Sequence, residues 1–112
     1  MVKKGDHIFA ENVKEAKSFK DRAIGLMFSS QMEGFDGLMI EPCTSIHTFF
    51  MNYPIDVVFL NKDNKVVKVI ENMKPWRLSS FYFRANKVLE LMGGTLKNRL
   101  NKDDQLEVLC TN

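Results

Sequence analysis

The chain has 112 residues, of which 27% are charged and 45% hydrophobic, and its formal net charge is +2. This composition indicates one ordinary soluble domain over residues 1–112, and the basic excess is too small and too scattered to favour nucleic acid as a partner. No apolar run reaches bilayer-spanning length and two cysteines make no disulfide framework, so we expect a cytoplasmic protein with no signal peptide and no membrane partner.

The first half of the chain carries one helical pattern between short strands. "HIFA", from His7 to Ala10, predicts a strand. Apolar residues then recur at spacings of three and four, which predicts one short helix with its stripe on Val13, Ala16, Phe19, Ala23 and Leu26. "LMIEP" predicts a strand that Pro42 stops, and a β-prone run, "SIHTFFM", follows from Ser45 to Met51.

The second half is richer in strand patterns. "DVVFL", residues 56–60, has almost no polar interruption and predicts a strand buried on both faces. "NKDNK" predicts a hairpin turn, with "VVKVIE" as the returning strand. We expect further strands in "MKPWRLSSFYF", "KVLELM" and "DDQLEVLC", and a short helical turn or loop in "TLKNRL". The sequence thus predicts a mainly β fold, a compact sandwich or partly closed barrel of about seven short strands with one short helix.

The stretch "PCTSIHTFFMNYPIDVVFL" places soft and polar side chains in an apolar, β-prone run. On an extended strand Cys43, Ser45, His47, Phe49 and Met51 share one face. Cys43 and His47 are weak metal candidates, because residues four apart on a strand lie about 13 Å apart, too far to share an ion. A hydrolytic or redox enzyme using Cys43, His47 and Asp56 is an alternative, although the chain contains no short catalytic motif. We expect no cofactor.

Several charged or aromatic side chains are candidates for a binding site. Asp56 opens an apolar strand, where we expect it to cap backbone N–H groups or pair with an arginine rather than to catalyse. Trp76 beside Arg77 predicts an aromatic and cationic platform. Glu90 is expected either to face solvent or to pair with Arg22. The binding candidates are Arg22, His47, Met51, Asp56, Trp76 and Glu90.

Four blocks of the chain carry a family resemblance: "RAIGLM", "GLMIEPCTSIHTFFMNYPIDVVFLNKDNKVVKV", "PWRLS" and "VLELMGG". In order and spacing they resemble the bacterial and archaeal family named domain of unknown function 192, over about residues 8–108. The resemblance implies a compact, mainly β domain without an assigned activity. The signature positions of the family would fall on Arg22, Gly25, Leu26, His47, Met51, Asp56, Leu89 and Glu90. The chain departs at Asp103-Asp104, where relatives usually have Gly-Asp.

Three hypotheses for function remain open at this point. The first is a non-enzymatic accessory module that binds an unknown small molecule or protein. The second is the enzyme, and the third is that the polar residues only fix strand register and turns. We favour the first, for a protein that is a monomer or weak dimer.

Overall fold

A computed structural model describes residues 1–16, 34–49 and 51–110. The regular structure in these ranges consists of eight strands: Val2–Lys4 (β1), His7–Ala10 (β2), Val13–Ala16 (β3), Gly37–Ile40 (β4), Ile55–Leu60 (β5), Val66–Met73 (β6), Lys87–Met92 (β7) and Glu107–Val108 (β8). They form two open sheets, of three strands in the order β2-β1-β8 and of five in the order β3-β4-β7-β5-β6. The predicted mainly β, sandwich-like fold is confirmed. The described ranges contain no helix suited to crossing a membrane.

The short helix predicted from Val13 onwards is wrong over the residues that the structure describes. Val13 and Ala16, the first two residues of the proposed stripe, lie in β3, which pairs in parallel with β4. Strand geometry sends these two side chains to opposite faces of the sheet, and both are buried there. A spacing of three therefore fits a strand buried on both faces as well as a helix. The rest of the stripe lies outside the described residues.

The hairpin between β5 and β6 is confirmed. Its turn is organised by Asn61, whose side-chain oxygen accepts hydrogen bonds from the backbone N–H groups of Asp63 and Lys65 at 2.9 and 3.0 Å. Asn64 supplies the left-handed conformation, with φ at 65°. The buried strand of this hairpin, β5, lies between β6 and β7, and all six of its residues are buried, as its apolar run predicts.

Two apolar clusters lie on opposite faces of the five-stranded sheet. One fills the space between the two sheets and includes Val2, Val58 and Leu89. The other includes Ile46, Ile55 and Phe59, and is covered by chain outside the named strands. The larger sheet is therefore buried on both faces, although a second sheet covers only one of them. What covers the other face positions the candidate site.

Several strand predictions need correction. Among the residues described, the β-prone run from Ser45 to Met51 is not a regular strand, and neither is the segment "MKPWRLSSFYF" after its first residue, Met73. An isolated bridge between His47 and Leu78 joins the two segments. The last predicted strand is reduced to the two residues of β8, and β1 was not predicted. "TLKNRL" forms turns, in which Lys97 and Asn98 both have positive φ.

Candidate functional site

Two extended segments cover the second apolar cluster, and we call them the outer ladder: residues 43–49 and residues 75–82. They run antiparallel. The Thr48 N–H donates to the Arg77 carbonyl and the Ser79 N–H to the Ile46 carbonyl, each at 2.9 Å. Ile46, which is buried, points from this ladder into the second cluster. The outer ladder is thus anchored to the fold from its inner face.

Side-chain hydroxyls replace backbone groups in this ladder, which explains why it is not a regular pair of strands. The Thr48 hydroxyl accepts from the Arg77 N–H at 2.9 Å and donates to the Lys74 carbonyl at 2.6 Å. The Ser79 hydroxyl accepts from the Ile46 N–H at 3.0 Å. Thr48 is fully buried and Ser79 nearly so. Each hydroxyl satisfies a backbone N–H that a strand partner would otherwise satisfy, as buried polar groups require.

The outward face of the ladder carries a row of stacked rings. Side chains alternate along an extended chain, so Ile46 and Thr48 point inward while His47 and Phe49 point outward. The His47 and Phe49 rings stack with centroids 4.9 Å apart, and the Phe49 and Trp76 rings stack at 6.1 Å. Trp76 has φ at 63°, a conformation uncommon for a bulky residue, and its N–H donates to the Thr48 carbonyl at 2.9 Å. The ladder therefore holds the indole in place through its backbone.

The apolar side chains around this row are exposed. We call Phe49, Trp76, Leu78, Phe81 and Phe83 the exposed apolar surface. Their exposed fractions run from 37% for Phe49 to 85% for Phe83, and the Phe81 and Phe83 rings stack nearly parallel at 6.0 Å. Across the described residues seven large apolar side chains are exposed, and these are five of them. Exposure is therefore concentrated on one part of the molecule.

Asp56 is fully buried at the end of β5 and accepts three backbone hydrogen bonds. The donors are the N–H groups of Asn72 at 2.8 Å, Gly94 at 3.3 Å and Leu96 at 2.9 Å. The strand register shifts here, between Ile55 and Val57, which frees the Asn72 N–H for the carboxylate. Asp56 thus ties β6 to the loop after β7, in one of the two structural roles, cap of backbone N–H groups or partner of an arginine, that the sequence leaves open for it.

Glu90 is also fully buried, but it lies on the other face of the sheet from Asp56. It pairs in register with Val57, the neighbour of Asp56, so the two carboxylates point in opposite directions. Burial and the nearby charge of Glu90 raise the pKa of Tyr53 to about 12. The two acids therefore form no catalytic dyad.

The remaining sequence candidates are distributed differently from the prediction. Met51 is buried in the second cluster, because the chain turns after Phe49 and the Met51 N–H donates to the Thr48 carbonyl at 3.2 Å. The Cys43 thiol donates to the Ser45 carbonyl at 2.9 Å. Among the residues described, no three His, Cys, Asp or Glu side chains are grouped to hold a metal ion. Arg22 lies outside the described residues.

The second histidine lies elsewhere. His7 is exposed on β2, and a depression of about 460 Å³ there is lined by Lys4, Gly5, His7, Phe9 and Arg99. The guanidinium of Arg99 lies 3.3 Å from the His7 Nε2 atom. His7 therefore lies on the three-stranded sheet, beside Arg99, and not in the outer ladder.

Sequence reasoning missed most of the exposed apolar surface. It identified Trp76 and assigned Phe49 only to the face of His47, and it singled out neither Leu78, Phe81 nor Phe83. One signal was available: residues 42–55 and 72–89, which contain the outer ladder, include no Asp or Glu. Apolar residues in segments that lack acids and clear periodicity, next to Pro75, fit an exposed apolar surface better than a regular strand.

Comparisons with known proteins give relatives in two archaea. Over 83 residues the chain is 40% identical to the UPF0127 protein PH1112 of Pyrococcus horikoshii, covering 70% of each chain. Over 81 residues it is 37% identical to the UPF0127 protein PF1050 of Pyrococcus furiosus, covering 68% of this chain and 66% of the relative.

Two crystal structures share the fold. One is a protein of unknown function from Novosphingobium aromaticivorans DSM 12444, with a TM-score of 0.68 and 21% identity over 86% of this chain and 74% of that one. The other is a proposed transcription regulator from Sinorhizobium meliloti 1021, with a TM-score of 0.69 and 27% identity over 85% and 79% of the two chains. The DUF192 family model, "Uncharacterized ACR", matches residues 1–108. The protein described above, with its two open sheets and its outer ladder, is a member of the DUF192 family.

Proposed function

We propose that this protein is a non-enzymatic binding module that engages a small molecule or a protein through the exposed apolar surface. The observation that carries the proposal is the concentration of exposed apolar side chains on the outer ladder and just after it, with Leu78 at 68% and Phe83 at 85% exposure. Apolar exposure grouped in this way marks interaction sites in soluble proteins, because water opposes it unless a partner covers it.

The backbone beneath this surface supports the same proposal. Thr48 fixes both Trp76 and Arg77 through its carbonyl and its hydroxyl. Trp76 is held at positive φ, and such uncommon conformations occur mainly where surrounding structure enforces them, often at ligand sites. A rigid aromatic surface loses little conformational entropy on binding, which favours affinity.

The other candidate residues act behind this surface in the proposal. Asp56, Met51 and Glu90 are all buried, so a partner reaching the outer ladder would not touch them. Their role is to hold the strands and the covering segments in register. His47 and Trp76 remain as contact residues, and Phe49 joins them.

The enzyme alternative finds less support. All three bonds that Asp56 accepts come from backbone N–H groups, which leaves its oxygens engaged in the fold. The Cys43 thiol donates its hydrogen to the Ser45 carbonyl, a local contact within the outer ladder.

Affinity capture from an extract of the source cells tests the proposal, with three baits. These are the wild type, the double variant Phe49→Ala/Trp76→Ala, and Ile8→Ala, which removes an exposed apolar side chain from β2 instead. The recovered protein is identified, purified and titrated. We expect the double variant to bind it at least about tenfold more weakly, as for hot-spot residues, and Ile8→Ala to bind it unchanged. Native mass spectrometry on the same three proteins tests for a small molecule. Equal binding by all three would contradict the proposal.

A further inference from the structure

We infer that the partner of the exposed apolar surface is an acidic protein segment with apolar side chains. This inference rests on the proposed function and adds the chemistry of the partner. It is carried by the charges in the same two stretches of the chain.

The two stretches that contain the outer ladder are cationic. Residues 42–55 and 72–89 contain Lys74, Arg77, Arg84 and Lys87 and no carboxylate, while the net charge of the whole chain is only +2. The rest of the chain is therefore net negative. Lys74, Arg77 and Arg84 are exposed. The ion pairs within the described part of the chain join Lys3 to Glu107 and Lys4 to Asp104, and neither of them involves Lys74, Arg77 or Arg84. Complementary charge steers association and suppresses partners of the wrong sign.

The geometry of the rings favours a protein over single-stranded nucleic acid, whose bases need open ring faces. Phe49 stacks with both His47 and Trp76, and Phe81 stacks with Phe83. Each of these rings turns one face toward another ring of the chain, which leaves fewer faces for bases, and the ring edges suit apolar and aromatic side chains.

The rigid ladder also favours a protein over a lipid surface. A bilayer accepts protruding apolar groups in any arrangement, whereas here the Thr48 and Ser79 hydroxyls fix the backbone that carries them. Fixed Trp, Phe and Arg side chains are the composition enriched at protein interfaces.

The emission of Trp76 provides the test, because it is the only tryptophan of the chain and lies in the surface. The probe is a synthetic peptide that alternates Glu with Phe and Leu, titrated alongside the same peptide with Gln or Lys in place of Glu. We expect saturable binding with a blue shift for the Glu peptide, at least about tenfold tighter than for the Gln peptide at about 0.1 M salt. Raising the salt to about 1 M should remove most of this difference through screening.

Charge-reversal variants sharpen the test. The affinity for the Glu peptide should fall at least about tenfold in the triple variant Lys74→Glu/Arg77→Glu/Arg84→Glu. The control makes three charge reversals outside the two acid-free stretches, Lys62→Glu/Lys97→Glu/Lys102→Glu, and should change this affinity less than about threefold. Equal affinity for the Glu and Gln peptides, or no shift with any peptide, would overturn the inference. So would tighter binding to oligothymidine or to phosphatidylglycerol vesicles. None of these results decides the proposed function, which stands or falls on the Phe49→Ala/Trp76→Ala capture.

Discussion

Asp56 and Phe49, a member of the exposed apolar surface, come from the same singled-out stretch of sequence, yet their environments are opposite. Asp56 is polar, fully buried and satisfied by three backbone N–H groups. Phe49, a few residues earlier, is apolar and exposed, although its neighbour Thr48 is fully buried. A buried polar group with all its bonds made inside the fold is explained by the fold. An exposed apolar group on a rigid backbone is not, and it is the better guide to function.

The largest expected effect tests the structural half of this comparison. Asp56→Ala leaves the N–H groups of Asn72, Gly94 and Leu96 buried without an acceptor, so we expect the free energy of unfolding to fall by about 3–5 kcal/mol. Urea denaturation measures this. Asp6→Ala, at an exposed aspartate in the turn after β1, should change it by less than about 0.5 kcal/mol. A similarly small loss for Asp56→Ala would show that the carboxylate is not needed for the fold.

The next effect lies at the junction of the two regions. Thr48→Val keeps the shape of the side chain but removes the acceptor for the Arg77 N–H and the donor to Lys74. We expect a loss of about 1–3 kcal/mol, together with a change in Trp76 emission as the ladder loosens. Thr44→Val, at a half-buried position of the same ladder, is the control and should leave both quantities nearly unchanged. If the Trp76 emission were unaltered in Thr48→Val, the hydrogen bonds of the Thr48 hydroxyl would not be what holds the stacked rings in place.

A pH dependence probes the buried side in another way. The pKa of Tyr53 is raised to about 12 in the folded state, so the unfolded chain releases this proton first. The free energy of unfolding should therefore fall as pH rises from about 10 to about 12, by up to about 2 kcal/mol from this group. Tyr53→Phe should lose that part of the fall, whereas Tyr82→Phe should keep it. Identical pH profiles for the two variants would contradict the assignment to Tyr53.

The smallest effect on stability belongs to the exposed side. Phe49→Ala and Trp76→Ala should each lower the free energy of unfolding by about 1 kcal/mol or less, since both side chains are substantially exposed. Thermal unfolding followed by circular dichroism measures this. A loss of stability as large as that of Asp56→Ala would show that these rings stabilise the fold, and it would contradict the contrast between Asp56 and the exposed apolar surface.

The sequence predicts the β-rich fold, β2, the β5–β6 hairpin and β7, because these segments have clear periodicity and turn chemistry. It also predicts a structural role for Asp56, as a cap of backbone N–H groups or the partner of an arginine, since an acid that opens a buried strand needs donors. It does not predict the outer ladder, where Thr48 and Ser79 hydroxyls substitute for strand partners that no periodicity reveals. The sequence also does not distinguish a helix from a strand at Val13 and Ala16. Apolar residues three apart fit one face of a helix, and they fit equally a strand that is buried on both faces.

The exposed apolar surface could be predicted only in part. Trp76 stands out as the one tryptophan beside an arginine, but Leu78 and Phe81 read as ordinary strand residues. Which of them point outward depends on the pairing of residues 75–82 with residues 43–49, and this pairing joins parts of the chain about thirty residues apart.

The most direct test of the central claim is a map of backbone amide chemical shifts upon adding the captured partner to the isotope-labelled protein. We predict that the largest changes fall on Phe49 and on residues 76–83, with little change at Asp56 and the loop that it caps. Changes centred instead on the Asp56 loop, or on the His7 depression, would contradict the claim that the exposed apolar surface is where this protein binds.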